Sequence, residues 1–67
     1  MEGYYKGVTC RLGTYRLMGE DKPVLYYISA PDQRTMLDAG FEDVSNGLWV
    51  KFLTDEEYEK IEKALSL

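Results

Sequence analysis

The residues of this 67-residue chain that could do chemistry are a lone cysteine, a run of carboxylates near the C-terminus, and tyrosines interleaved with arginines near the N-terminus. Cys10 has no histidine anywhere in the chain to activate it, so nucleophilic catalysis fails on inventory. It alternates with Val8 and Leu12, the setting of a buried structural thiol. One cysteine also excludes an intramolecular disulfide and a four-ligand zinc site. No metal and no cofactor are expected.

The carboxylates Asp55, Glu56, Glu57 and Glu59 invite a metal-binding or nucleic-acid-mimic reading. Acidic residues also belong in a first helical turn, where they complement the dipole, and Lys60 and Lys63 follow Glu56 and Glu59 at i+4. A solvated helix face accounts for them more simply than an acidic docking surface, and paired catalytic carboxylates would have to converge in a cleft.

The N-terminal half is more informative. Tyr4, Tyr5, Tyr15, Tyr26 and Tyr27 lie among Lys6, Arg11 and Arg16. Tyrosine and arginine are interface anchors, and they are also what a stacked base and its phosphate require. Tyrosines are good strand formers as well, but five exceed what a small core can hold with every hydroxyl satisfied. Arg11, Arg16, Tyr15, Tyr26 and Tyr27 are therefore candidate binding residues. Gly3, Gly7, Gly13 and Gly19 are spread along strands and turns, so no nucleotide fingerprint forms.

Charge bounds the partners. Residues 1 to 34 carry five basic and four acidic groups, a net +1; residues 35 to 67 carry three and eight, a net −5. An overall charge of −4 argues against direct contact with duplex nucleic acid, which needs a basic surface. No segment is apolar enough to span a membrane, no signal peptide is evident, and a lone thiol suits a reducing cytoplasm.

The elements that must position these residues follow from periodicity. Residues 4 to 12 alternate as a strand, with a bulge expected near Gly13-Thr14 where the apolar phase shifts to Tyr15 and Leu17. "GEDKP" (Gly19 to Pro23) reads as a turn, and "VLYYIS" (Val24 to Ser29) as a second, more buried strand. Ser29 and Asp32 make a weak capping box for a short helix from about Pro31 to Ala39, with Gly40 ending it. "VSNGLWVKFL" announces a hairpin through Asn46-Gly47. Thr54 and Glu57 form a T-x-x-E box, Leu53 and Tyr58 a staple, and Tyr58, Ile61 and Leu65 the apolar stripe of a last helix from about Asp55 to Ser66. The predicted fold is α+β, a single domain of order ββαββα: a mostly antiparallel four-stranded sheet with both helices on one face.

The stretch "MLDAGFEDVSNGLWVKFLTDEEYEKIEKAL" resembles small uncharacterised proteins of bacteriophages and prophages, in which a short helix, a G-F-x-x-V-x-x-G hairpin and a capped acidic helix recur. The resemblance covers the second half of the chain and carries over no functional residues. It implies a protein that acts by binding, including the inhibitors that phages direct against host defences.

The expected function is thus a non-enzymatic binding module, a small inhibitor of a host or phage protein acting by protein–protein contact in the host cytoplasm. Its competitors are a sponge for a small nucleotide-like anion and an acidic mimic of nucleic acid. A two-residue turn at Asn46-Gly47 sets Ser45 opposite Leu48, Val44 opposite Trp49, Glu42 opposite Lys51 and Phe41 opposite Phe52. On that register Phe41, Leu48, Val50 and Phe52 lie beneath the last helix, while Trp49, Val44 and Leu53 lie on the helix-free face. Trp49 and Val44 are accordingly expected to be contact residues, covered by a second copy of the chain in a homo-oligomer or by the target.

Overall fold

Lys6-Gly7, Met18-Gly19 and Asn46-Gly47 each place two successive residues at positive φ: 49° and 86°, 51° and 83°, 44° and 100°. That is the backbone of the type I′ turn, whose twist matches the strands it joins, and it makes three tight hairpins. The computed structural model describes residues 2–65. They form β1 (Glu2–Tyr5), β2 (Val8–Leu17), β3 (Glu20–Ser29), α1 (Gln33–Asp38), β4 (Glu42–Ser45), β5 (Leu48–Phe52) and α2 (Asp55–Leu65). The strands build one antiparallel sheet in the order β1-β2-β3-β5-β4.

The fold is α+β, but it has five strands and the order βββαββα, not four strands in ββαββα. The single strand expected from residue 4 is two strands folded back through Lys6-Gly7. Only Asn46-Gly47 has the composition that marks such a turn; lysine and methionine occupy the same backbone position at a cost.

Three local expectations change with this. The ladder runs unbroken through Gly13↔Val24 and Thr14↔Pro23, and its shift falls instead between Thr9 and Cys10, leaving Ile28 as the extra residue on β3. Of "GEDKP" only Gly19 lies in a turn. Pro23 is a strand residue whose carbonyl, accepting from Leu53 N–H at 3.0 Å, points to the β5 side. Its missing N–H points the same way, so the bond from Leu53 has no reciprocal, and the β3–β5 ladder begins at Val24↔Phe52, at the end of the pairing where a proline is tolerated.

Asp32, not Ser29, caps α1: its carboxylate accepts from Thr35 N–H at 2.7 Å and from the Thr35 hydroxyl at 2.9 Å. The helix ends in a Schellman motif. Gly40, at φ +95°, donates to Leu37 at 3.0 Å, and Phe41 N–H donates to Met36 at 3.2 Å. The apolar contact that accompanies this motif joins Met36 and Phe41, both buried. At α2 the T-x-x-E box is present in both directions, Thr54 N–H to Glu57 at 3.0 Å and Glu57 N–H to the Thr54 hydroxyl at 3.1 Å. Of the stripe expected on α2, Tyr58 and Ile61 pack against the core; the side chain of Leu65 and the whole of Ser66 lie outside the described residues.

The core sits between the helices and one face of the sheet. It holds Val8, Cys10, Leu25, Met36, Ala39, Phe41 and Leu53. Burial pushes the Cys10 thiol above its ordinary value, so it stays a neutral packing group. Lys51, opposite Leu25, points to this same side. It spans the half-open space between the helices, with its ammonium 3.9 Å from Glu57 and 5.8 Å from the Tyr5 ring centre. The cross-strand pair expected between Lys51 and Glu42 is absent, because Glu42 stands opposite Val50.

Two outcomes test these local structures. Met18 occupies a left-handed position with its side chain 94% exposed, so it has strain and almost no packing to lose. Met18→Asn should stabilise the chain by about 0.5–1 kcal/mol, read as a higher melting temperature. The second concerns pH. The Asp32 carboxyl is held low first by the Thr35 N–H and then by the Thr35 hydroxyl; that of Glu57 is held low first by the Thr54 N–H and then by the charge of Lys51. Lowered carboxyls stabilise fully above their ordinary values, 3.8 and 4.5, and lose that effect as pH falls through the lowered ones. Melting temperature should therefore fall in acid below those values, and Asp32→Asn with Glu57→Gln should flatten that fall.

Candidate contact surface on the helix-free sheet face

Because successive strand residues point to opposite faces, the register assigns every side chain to the helix side or the free side. Between β4 and β5 the pairs are Ser45↔Leu48, Asp43↔Trp49 and Glu42↔Val50, so Val44 is an extra residue bulged out of β4. The bulge is held by Asp43, whose carboxylate accepts from Ser45 N–H at 3.1 Å and Gly47 N–H at 3.2 Å. It shifts the phase of β4 by one residue, which lets Phe41 enter the helix-side core although Phe52 does not.

This reverses the expected sidedness of the second hairpin. Trp49 and Leu53 belong to the helix side and pack against the core; Leu48, Val50 and Phe52 belong to the free face. Val44 is half-buried and does not oppose Trp49. Neither Trp49 nor Val44 forms the contact pair read from the turn alone.

The free face is organised in rows across the strands. One row runs Glu2, Arg11, Tyr26, Val50, Glu42; the next runs Gly13, Val24, Phe52; then Tyr15 beside Lys22, and Leu17 beside Glu20. Val24 and Val50 are fully buried although no helix lies over them. Aromatic rings flank them in the same rows. Tyr15 and Phe52 meet edge to face, with ring centres 6.2 Å apart at 75°, and Tyr26 lies across Gly13 with its hydroxyl donating to the Thr14 carbonyl. Gly13 thus marks a close approach, not a bend: a Cβ there would stand 2.8 Å from the Tyr26 ring.

Of the candidate binding residues, Arg11, Tyr15 and Tyr26 come together on this face, Arg11 directly opposite Tyr26. Tyr27 does not. It lies on the helix side, edge to face with Phe41 at 6.3 Å. Arg16 stands near the end of the β2–β3 ribbon, 3.9 Å from Asp21 and 3.4 Å from the Gly19 carbonyl. The residues that sequence reasoning missed are Ile28 and Leu48, 43% and 37% exposed, and Phe52. The signal for Leu48 was its period-two spacing with Val50 and Phe52, which was assigned to the wrong side.

On the opposite face an open groove of about 510 Å³ runs between the β2–β3 ribbon and α2. Pro23 and Tyr58 contribute its apolar surface, and Asp21, Asp55, Glu59 and Glu62 line it with carboxylates. This groove repels phosphate. Among the described residues no cluster of three metal-ligating side chains forms, and no helix is long and apolar enough to cross a membrane. Compared with protein-family models, curated proteins and solved structures, the chain matches none.

The Gly13–Tyr26 contact is directly testable. Gly13→Ala should push the Tyr26 ring off the sheet and break its bond to Thr14, costing about 0.5–1.5 kcal/mol. A melting curve reads the loss, and a shifted Tyr26 ring resonance identifies its cause.

Proposed function

We propose that this chain is a non-enzymatic binding module that acts by protein–protein contact through the helix-free face of its sheet. One observation carries the reading: the face turns Ile28 and Leu48 outward beside the half-buried rings of Tyr15, Tyr26 and Phe52, and is edged by the charged groups Glu2, Glu20, Lys22 and Glu42. An apolar and aromatic centre with charge gathered toward its edge is the anatomy of a protein interface. An antiparallel sheet that merely met water would alternate to a polar outer face. Tyr15, Tyr26 and Arg11 supply the residue types that dominate binding energy at such centres. The resemblance to phage proteins makes the partner class a host protein, met in the host cytoplasm by a small inhibitor.

The second reading, a sponge for a small nucleotide-like anion, is favoured by the adjacency of Arg11 and Tyr26. Against it, Glu2 stands opposite Arg11 on the far side and offsets its charge.

A photo-crosslinking residue placed at Ile28 on the free face, and in a control at Glu56 on the exposed side of α2, separates the readings. In host lysate the probe at position 28 should give protein adducts and the probe at position 56 none. Equal yields at both positions, or a melting temperature raised by nucleotides but by no protein, would overturn the proposal. A nucleotide sponge should gain about 2.7 kcal/mol at a hundredfold excess of ligand over its dissociation constant.

A further inference from the structure

The free face is large relative to the molecule that carries it. The chain is a slab whose principal extents are 31 × 30 × 17 Å. The short axis is that of one sheet and one helix layer, which pack about 10 Å apart. The ten-residue strands β2 and β3, at about 3.4 Å per residue, account for a long one. The sheet face is part of that outline: its five strands, of 4, 10, 10, 5 and 4 residues, at about 3.4 Å per residue and about 4.8 Å apart cover roughly 540 Å² in projection, or roughly 1,100 Å² over two copies, against the roughly 1,000 Å² that a specific interface buries in total. Ile28 and Leu48 stand outward on it, 43% and 37% exposed, and Leu17 is 42% exposed at its far end.

We infer that in the free protein this face is closed by a second copy of the chain, two sheets packing face to face in a two-fold dimer. The inference rests on the reading of this face as a protein-contact surface and names its occupant in the absence of a target. Three features select a second copy. The area suffices for a modest dimer, since two sheet faces together reach the roughly 1,000 Å² that a specific interface buries. The pattern is self-compatible: a two-fold interface sets the same patch against itself, and this patch holds outward Ile28 and Leu48 and half-buried Tyr26 and Phe52 among Arg11, Glu2 and Glu42 and the Lys22–Glu20 ion pair. The chain also has the need. It has 67 residues, one cysteine and no histidine, so neither a disulfide nor a histidine–cysteine metal site supplements a core built on one side of the sheet. Packing the second face completes a sandwich, with four layers in the order helix, sheet, sheet, helix.

Sedimentation equilibrium of the purified full chain tests this, with Ile28→Lys/Leu48→Lys as the variant and Leu37→Lys, exposed on α1 away from the face, as the control. Wild type and control should sediment at twice 7.7 kDa at tens of micromolar, an order chosen for an ordinary dimer. The double variant should sediment at 7.7 kDa, its dissociation constant raised roughly a hundredfold, with its circular dichroism unchanged. Should the variant unfold, dilution of the wild type followed by NMR reads the same face. Ring resonances of Tyr15, Tyr26 and Phe52 should move with concentration, and Trp49, on the helix side, should not. A wild type that stays at 7.7 kDa near millimolar concentration, a dimer unaffected by the double variant, or shifts confined to Trp49 would overturn the inference. The crosslinker at position 28 then separates the two failures. Adducts with a heavier protein from a monomeric chain overturn the second copy and keep the contact surface, whereas no adduct overturns both.

Discussion

Asp43 accepts backbone hydrogen bonds from Ser45 and Gly47, and those bonds hold Val44 out of the β4–β5 ladder. A strand has a side-chain period of two, so a one-residue bulge moves everything before it to the opposite face. This local constraint lets one hairpin serve both sides of the sheet. Phe41, before the bulge, enters the core under the helices; Val50 and Phe52, on the other strand, build the free face. Without the bulge Phe41 would face the same side as Phe52, and the Schellman motif that delivers it beside Met36 would have nowhere to lead.

The two faces are then held by different means. The helix side is a conventional apolar core, closed by α1, α2 and the stem of Lys51. The free side buries Val24 and Val50 with no helix over them, beside the rings of Tyr15, Tyr26 and Phe52. The positions of those rings depend on small features: the absent Cβ of Gly13, the Thr14 carbonyl that anchors Tyr26, and the register that sets Tyr15 within reach of Phe52. Such a layer excludes water from what lies beneath it while leaving Ile28, Leu48 and Leu17 outward, the arrangement a contact surface needs.

Charge is divided in the same way. The helix side carries the acidic groove between α2 and the β2–β3 ribbon, whereas the free face carries Arg11 and Lys22 among its glutamates. The groove therefore repels anions, and the free face is close to balanced. That difference gives the two faces distinct electrostatic character even though the chain as a whole is acidic.

Local chemistry was legible in the residues themselves. The box at Thr54 and Glu57, the Asn46-Gly47 turn, the glycine that ends α1, the buried setting of Cys10 and the α+β class each depend on neighbours within a few positions, so the chain determines them without reference to the rest of the fold. Arg11, Tyr15 and Tyr26 could likewise be picked out by type. What only the tertiary structure decided is sidedness. A bulge at Val44 leaves no mark in composition, and Lys6-Gly7 and Met18-Gly19 do not look like the turns they form. Each of these shifts or reverses a strand by a whole phase, and a phase has no meaning until the partner strand and the covering helices are in place. That is why Trp49, whose spacing pointed to the open face, lies against the core, and why Tyr27 parts from Tyr26: adjacent residues on one strand must face opposite ways, and only the packed sheet determines which of them meets the helices.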